Sequence, residues 1–198
     1  MNGARPIRHA RSGVIAHPAQ IAALASPARL ELVDSLHTAG PTSIAELARL
    51  LGRTPHSLYY HVRRLQQLGL IVAVGQRRAG RRREAVYDLP ARPLQLRYRA
   101  GRGPAAVATM RTARALLRLA VRDFARAIAS PGVVTEGPRR ALWCGRCKGW
   151  LTGAELGRLN AHLRAIALLL GRGRRRRGAD LHSVVFASTP MGVRGDAG

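Results

Sequence analysis

Two short amphipathic helices joined by a tight turn limit the folds open to this chain more than any other part of its sequence. The first, Ser43–Leu51, opens with a capping box and ends at Gly52. The second, Thr54–Leu68, begins with a threonine cap and a proline, and its apolar residues recur at i, i+4, i+7 and i+10. Two helices of these lengths around a glycine-containing turn predict a helix-turn-helix.

A β-hairpin is predicted directly after the second helix. Ile71–Val74 and Glu84–Leu89 have the composition of strands, and a polar, glycine-containing tip, Gln76–Arg83, lies between them. Before the first helix, apolar residues at helical spacing from Ile21 to Leu36 predict two further helices. The order of four helices and a hairpin predicts a winged helix-turn-helix domain.

The remainder of the chain divides at breaks rich in proline and glycine. A helix is predicted after the capping box Thr152–Glu155, with strands at residues 141–143 and 181–187. The expected fold class is mainly α with a small β wing. The predicted segments are a flexible basic arm at 1–17, the winged helix-turn-helix domain at 18–90, a linker at 91–104, a long amphipathic helix at 105–130 and a small α+β module at 139–190.

Positive charge dominates the composition and points to a polyanionic partner. The chain has 34 basic and 10 acidic residues, which gives a formal charge of +24, and Lys148 is the only lysine. Nucleic acid is the first candidate partner and an anionic membrane surface the second. The longest purely apolar run, Ala165–Leu170, is far shorter than a membrane span. We therefore expect a cytoplasmic protein that does not bind membranes.

The outward positions of the second helix carry groups that can bind DNA. Hydroxyls and amides can read base edges, and arginines bind guanine edges or phosphates. The hairpin tip adds guanidinium groups suited to flanking phosphates or to a narrow minor groove. The helix positions are Thr54, His56, Ser57, Tyr59, Tyr60, Arg63, Arg64 and Gln67, and the hairpin positions are Arg77, Arg78, Arg81, Arg82 and Arg83.

The stretch Thr54–Ile71 resembles the recognition helix and first wing strand of ArsR-like winged-helix transcriptional regulators. Leu24–Leu30 and Ile44–Leu51 are similar to earlier helices of the same family, so the resemblance covers about residues 18–90. It implies a homodimeric repressor or activator that binds a near-palindromic operator in double-stranded DNA, with His61 also at or near the DNA. Metal-sensing members carry a cysteine pair where the recognition helix starts, and Thr54–Ser57 contains no cysteine.

Several of these side chains have a second interpretation. Tyr59 and Tyr60 either pack or read bases, and His61 either packs against a helix or donates to a phosphate. An arginine stripe on the long helix is either solvated or an extra contact to the DNA backbone. The apolar stripe opposite it is predicted to dimerise, through Val107, Met110, Leu117, Val121 and Phe124.

The segment Trp143–Lys148 is similar to the Trp-Cys-Gly-Pro-Cys-Lys of thioredoxins but has Arg146 in place of proline. Cys144 and Cys147 are either two small apolar side chains beside a strand, or part of a zinc or sensory thiol site, or a redox pair. The run Arg174–Arg177 suits a phosphate or an anionic lipid equally well.

No paired carboxylates, Ser/His/Asp set, phosphate loop or HExxH motif occurs in the sequence. We therefore expect that the protein is not an enzyme and that the predicted site binds neither a cofactor nor a metal. The sequence does not identify an effector. The predicted function is sequence-specific DNA binding by a homodimer that regulates transcription. The alternatives are a thiol-based redox or metal-sensing protein and an architectural protein that binds nucleic acid without sequence preference.

Overall fold

A computed structural model of the protein describes residues 13–80, 82–92, 94–98, 101–172 and 177–191. The predicted basic arm up to residue 12, Arg81 and Arg174–Arg176 lie outside these ranges. The helices are α1 Pro18–Ala23, α2 Pro27–Ala39, α3 Ile44–Leu51, α4 Pro55–Gln67, α5 Pro104–Ile128 and α6 Gly153–Arg172. The strands are β1 Gly13–Ile15, β2 Thr42–Ser43, β3 Val72–Ala79, β4 Arg82–Asp88 and β5 Leu94–Leu96.

The caps predicted for α3 and α4 form as the sequence indicates. The Ser43 N–H donates to Glu46 Oε2 at 2.9 Å, and the Glu46 N–H donates to Ser43 Oγ at 3.3 Å. Gly52 ends α3 at φ 61°, a left-handed conformation that favours glycine. The Ser57 N–H then donates to Thr54 Oγ1 at 3.4 Å, and α4 starts after the three residues 52–54 that separate it from α3.

One face of α4 forms part of the hydrophobic core. Leu58, Val62 and Leu65 are at most 2% exposed, and they join a cluster that includes Leu36 of α2 and Leu47 of α3. Side chains of this size each stabilise the fold by about 1.5–3 kcal/mol when fully buried. Burial of this face sets the rotation of α4 about its axis and directs its other face outward.

A three-stranded antiparallel sheet follows α4, with the strand order β2-β4-β3. The ladder between β3 and β4 continues out to Ala79 and Arg82, so most of the predicted tip is paired strand. A register shift between Ala73 and Gly75 marks a bulge near the base of the hairpin. Together with α3 and α4, this hairpin makes the domain a winged helix-turn-helix, as predicted.

Three short strands, β1, β2 and β5, were not predicted. β1 pairs in parallel with β5, although β1 lies within the predicted arm and β5 within the predicted linker. β1 and β5 each have only three residues, which is too short for the alternation of side chains to be recognised. The pair holds the segment before α1 next to the segment before α5.

The long helix α5 forms where it was predicted and packs against α1 and α2. Its buried side is narrow and made mostly of small residues: Ala108, Thr112, Ala115 and Leu119. Thr112 Oγ1 donates to the Ile21 carbonyl at 2.8 Å, which satisfies a buried hydroxyl and attaches α5 to α1. The opposite side of α5 is exposed.

The C-terminal module differs from its prediction. α6 starts at the predicted capping box, since the Thr152 N–H donates to Glu155 Oε2 at 2.9 Å. The strands predicted at 141–143 and 181–187 do not form, because neither segment has a hydrogen-bonded partner strand within the described residues. None of the side chains of α6 is buried.

A buried ion pair fixes the base of the wing. Asp88 is fully buried, and its carboxylate accepts hydrogen bonds from both Nη atoms of Arg92 and from the Leu89 N–H. Arg92 Nη2 also donates to the Leu36 carbonyl at 2.7 Å. The end of β4 is thereby attached to the C-terminal part of α2.

Replacing Arg92 should therefore destabilise the whole domain. Arg92→Met removes the arginine that bonds to both oxygens of a buried carboxylate, and we expect it to lower the free energy of unfolding by about 3–5 kcal/mol. Urea unfolding followed by circular dichroism measures the change. The control is Arg114→Met, at an exposed position of α5, with an expected change within about 0.5 kcal/mol. Equal losses in the two variants would contradict the structural role of Arg92.

Candidate nucleic-acid interface

The outer face of α4 presents to solvent all of the DNA-binding side chains predicted on this helix except His61. Tyr59 is 58% exposed and Tyr60 is 70% exposed, and the Tyr60 ring lies edge-on to the His61 ring with 5.5 Å between their centres. The face contains no acidic residue, because α4 has neither Asp nor Glu. Its exposed members are Thr54, His56, Ser57, Tyr59, Tyr60, Arg63, Arg64 and Gln67.

His61 lies on the flank of α4 and not on its outer face. It is partly buried, and its Nδ1 atom is enclosed without a hydrogen-bond partner in the described structure. Burial lowers the pKa of His61, and the charges of Arg29 and Arg53 lower it further. The imidazole is therefore neutral at pH 7. Of its two predicted roles, the structure favours packing over that of a cationic phosphate ligand.

The wing arginines fall into two groups. Arg77 Nη1 donates to Glu46 Oε1 at 2.6 Å, so its charge is offset by α3. Arg78, Arg82 and Arg83 are exposed on the two strands near the turn, where Gly80 adopts φ 60°. Arg78 pairs in register with Arg83 and its Nε donates to the Gly80 carbonyl at 3.2 Å. Like charges placed opposite each other repel, which favours an anion between them.

Glu46 connects the cap of α3 to the wing, a role that the spacing of residues alone did not reveal. The hydrogen bond from the Ser43 N–H is the main reason why the pKa of Glu46 is lower than usual, and Arg77 and Arg49 add to the effect. Glu46 is therefore ionised at neutral pH. Its carboxylate holds Arg77, and through it β3, against the start of α3.

The charge of Glu46 should make a pH-dependent contribution to stability. Because its pKa is below the ordinary 4.5 in the folded state, this contribution is present above that value and disappears as pH falls through the folded pKa. Glu46→Gln should lower the free energy of unfolding by about 0.5–1 kcal/mol at neutral pH. The difference from the wild type should vanish at acidic pH, well below the ordinary value of 4.5, once Glu46 is protonated in the folded state.

Urea unfolding at both pH values measures this effect. Glu136→Gln, at an exposed position outside any helix or strand, is the matched control and should show no difference at either pH. A Glu46→Gln deficit that persists at the lower pH would show that the charge is not responsible.

The arginine stripe of α5 is not uniform. Arg111, Arg114 and Arg118 are exposed. Arg122 is partly buried and donates to Glu31 at 2.6 Å and to Asp123 at 2.7 Å. The hydrogen bond to Asp123, followed by the interactions with Glu31, raises the pKa of Arg122. Arg122 therefore serves the contact between α5 and α2, and only the other members are available to a ligand.

The two cysteines are exposed thiols, not small apolar side chains beside a strand. Cys144 and Cys147 are both free and exposed, in a segment without helix or strand. The guanidinium of Arg140 lies 4.1 Å from the ring centre of the neighbouring Trp143, a cation–π contact. Within the described part of the chain, no group of three or more His, Cys, Asp and Glu side chains could hold a metal ion.

Comparison with known families supports the helix-turn-helix. Residues 24–74 match the family model described as a helix-turn-helix domain, which is 51 of the 198 residues. The matched segment begins in the turn after α1 and ends within β3, so it includes all of α2, α3 and α4. The match therefore identifies a helix-turn-helix domain in this part of the chain. No curated protein matches the chain.

Among the described helices, none combines the length and the apolar character that crossing a bilayer requires.

Proposed function

We propose that this protein is a sequence-specific DNA-binding regulator of transcription, of the ArsR-like group, and that it acts as a homodimer. The observation that carries the proposal is the outer face of α4, where exposed donors are displayed without a single carboxylate. The helix-turn-helix match over residues 24–74 supports it. The net charge of +24 adds the electrostatic attraction on which DNA binding depends.

In the proposed complex α4 lies in the major groove. A helix of 13 residues is about 20 Å long and fits the groove lengthwise. Side chains near its start, such as Ser57, meet base edges, as recognition helices commonly do. Arg63 would pair with a guanine edge or a phosphate, and Gln67 with an adenine edge.

The wing would contact the DNA beside the groove. Arg82 and Arg83 are exposed, like Arg78 on the opposite strand, and suit phosphates or a narrow minor groove. Arg77 contributes less directly, because its ion pair with Glu46 must be exchanged for any bond to a phosphate. Arg77 would mainly fix the position of the wing relative to α4.

Dimerisation would use the exposed side of α5. This side carries large apolar residues opposite the face that packs on α1 and α2, and Met110, Leu117 and Val121 are 57%, 50% and 70% exposed. Phe124 is partly buried, and Val107 and Ile128 are exposed near the two ends of the helix. A continuous apolar stripe exposed on a long helix typically marks a protein interface. A second copy related by two-fold symmetry would match a near-palindromic operator.

The exposed thiols favour a second candidate function, a thiol-based sensor that uses Cys144 and Cys147. Exposed free cysteines are unusual, since cysteine is among the most buried residue types. Zinc content and thiol reactivity of the purified protein test this candidate. A metal-free pair that does not react with peroxide would exclude it.

Selection of bound sites from a random DNA pool tests the main proposal. A palindromic consensus is expected. Binding without any preferred site would instead identify an architectural protein that recognises only the phosphate backbone.

Arg63 should contribute strongly to operator binding. Arg63→Ala should weaken binding by about 1–3 kcal/mol, or roughly 5-fold to 150-fold, because one base or charged phosphate contact is lost. Titration by gel shift at fixed salt measures the loss. Arg139→Ala, at an exposed position outside the domain, should lower affinity far less. Equal losses would exclude α4 as the recognition helix.

Charges placed on the exposed stripe of α5 should separate the protomers. The double variant Leu117→Glu and Val121→Glu would bury two carboxylates in an apolar interface, and we expect a monomer in sedimentation velocity. Ala125→Glu, exposed on the arginine-bearing flank of the same helix, should remain a dimer. A double variant that stays dimeric would show that this stripe is not the interface.

A further inference from the structure

One arginine beside α4 has no counter-charge although part of it is buried. Arg29 lies in the first turn of α2, which contacts α4. Its Nε atom is buried and has no hydrogen-bond partner in the described structure. No described carboxylate lies within 4.0 Å of its guanidinium. This cation is unusual within the molecule.

Comparison with the other partly buried arginines makes the exception clear. Arg53 and Arg122 each bond to Glu31 at 2.6 Å, and Arg92 bonds to Asp88. These three and Arg29 are the partly buried arginines of the described chain. Three of the four therefore follow the rule that buried charge is paired, and Arg29 does not.

The surroundings of Arg29 are cationic or aromatic. Burial lowers its pKa, the Tyr60 hydroxyl opposes that effect, and the charge of Arg64 lowers the pKa further. Arg29 in turn lowers the pKa of His61. Arg29, His61 and Arg64 thus form a cluster on the flank of α4 that lacks an anion. We refer to these three residues as the flank cluster.

An arrangement of this kind destabilises the free protein. A buried donor without a partner is unfavourable, and the repulsion between Arg29 and Arg64 adds to that cost. A phosphate would relieve both effects, since its oxygens accept several hydrogen bonds and its charge offsets two cations. Because the flank cluster borders the face of α4 proposed to enter the groove, the nearest polyanion would be the DNA strand at the groove edge.

We propose that the flank cluster is a site for one backbone phosphate of DNA, held mainly by Arg29 together with Arg64. The proposal rests on the DNA-binding function proposed above and extends the interface from α4 to α2. Phosphate contacts of this kind fix the register and orientation of a protein on the duplex. Arg29 would therefore be a positioning residue, which sets how α4 sits in the groove without reading a base.

The number of phosphates contacted can be measured through the dependence of affinity on salt. Each neutralised phosphate contributes about 0.9 to the slope of log K against log salt concentration. Arg29→Met should lower this slope by about 0.9 on random-sequence duplex DNA, measured by fluorescence anisotropy at several salt concentrations. Arg29→Lys keeps the charge and should retain the slope. Arg139→Met, which removes an exposed charge outside the winged helix-turn-helix domain, is the control and should also retain it.

Stability separates this role from a purely structural one. Arg29→Met removes an unpaired buried charge, so its urea midpoint should equal or exceed that of the wild type. An unchanged salt slope, or a large loss of stability that Arg29→Lys does not restore, would overturn the phosphate site. Failure of the wild type to bind any duplex would overturn this proposal and the proposed function together. Binding to random DNA without a preferred operator would overturn sequence specificity alone.

Discussion

The burial of one face of α4 is the constraint on which the rest of the site depends. Leu58, Val62 and Leu65 are enclosed by α2 and α3, and helix geometry then directs the remaining side chains outward. If α4 could rotate about its axis, these side chains would no longer form one exposed face without carboxylates. The core therefore determines function indirectly, because it selects which residues of one amphipathic helix meet solvent.

The wing depends on the same core through two ion pairs of different kinds. Asp88 and Arg92 are a buried pair at the base of the hairpin, and they attach it to α2. Glu46 and Arg77 form a partly exposed pair nearer the turn of the hairpin, and this pair attaches the hairpin to α3. A wing that is attached at two points along its length can place Arg82 and Arg83 at a defined distance from α4. Two of the 10 acidic residues in the chain therefore serve to fix the position of the wing.

Features encoded by neighbouring residues were predictable, and features that depend on distant contacts were not. The caps of α3, α4 and α6 and the hairpin after α4 follow from local signals. The β1–β5 pair, the Glu46–Arg77 bond and the position of Arg29 each depend on residues far apart in the sequence. The strands predicted at 141–143 and 181–187 show the limit of pattern alone, because an alternating sequence forms a strand only where another strand can pair with it.

The same distinction applies to the candidate site. The outward positions of α4 were predictable from its period, since each follows from the buried stripe. His61 falls at the edge of that stripe, where the crossing of α2 and α4 decides how much of the ring is covered. The crossing also decides that Arg29 lies beside Arg64, which no spacing within either helix could indicate.

The two-sided character of α5 has a consequence for how the protein folds. Its inner side relies on small residues, and among the described residues its outer apolar side has no cover in a single chain. If a second copy supplies that cover, folding and association become one equilibrium, because the paired state gains burial that the lone chain lacks. The melting temperature would then rise with protein concentration. Dilution alone would lower both the stability of the fold and the affinity for DNA.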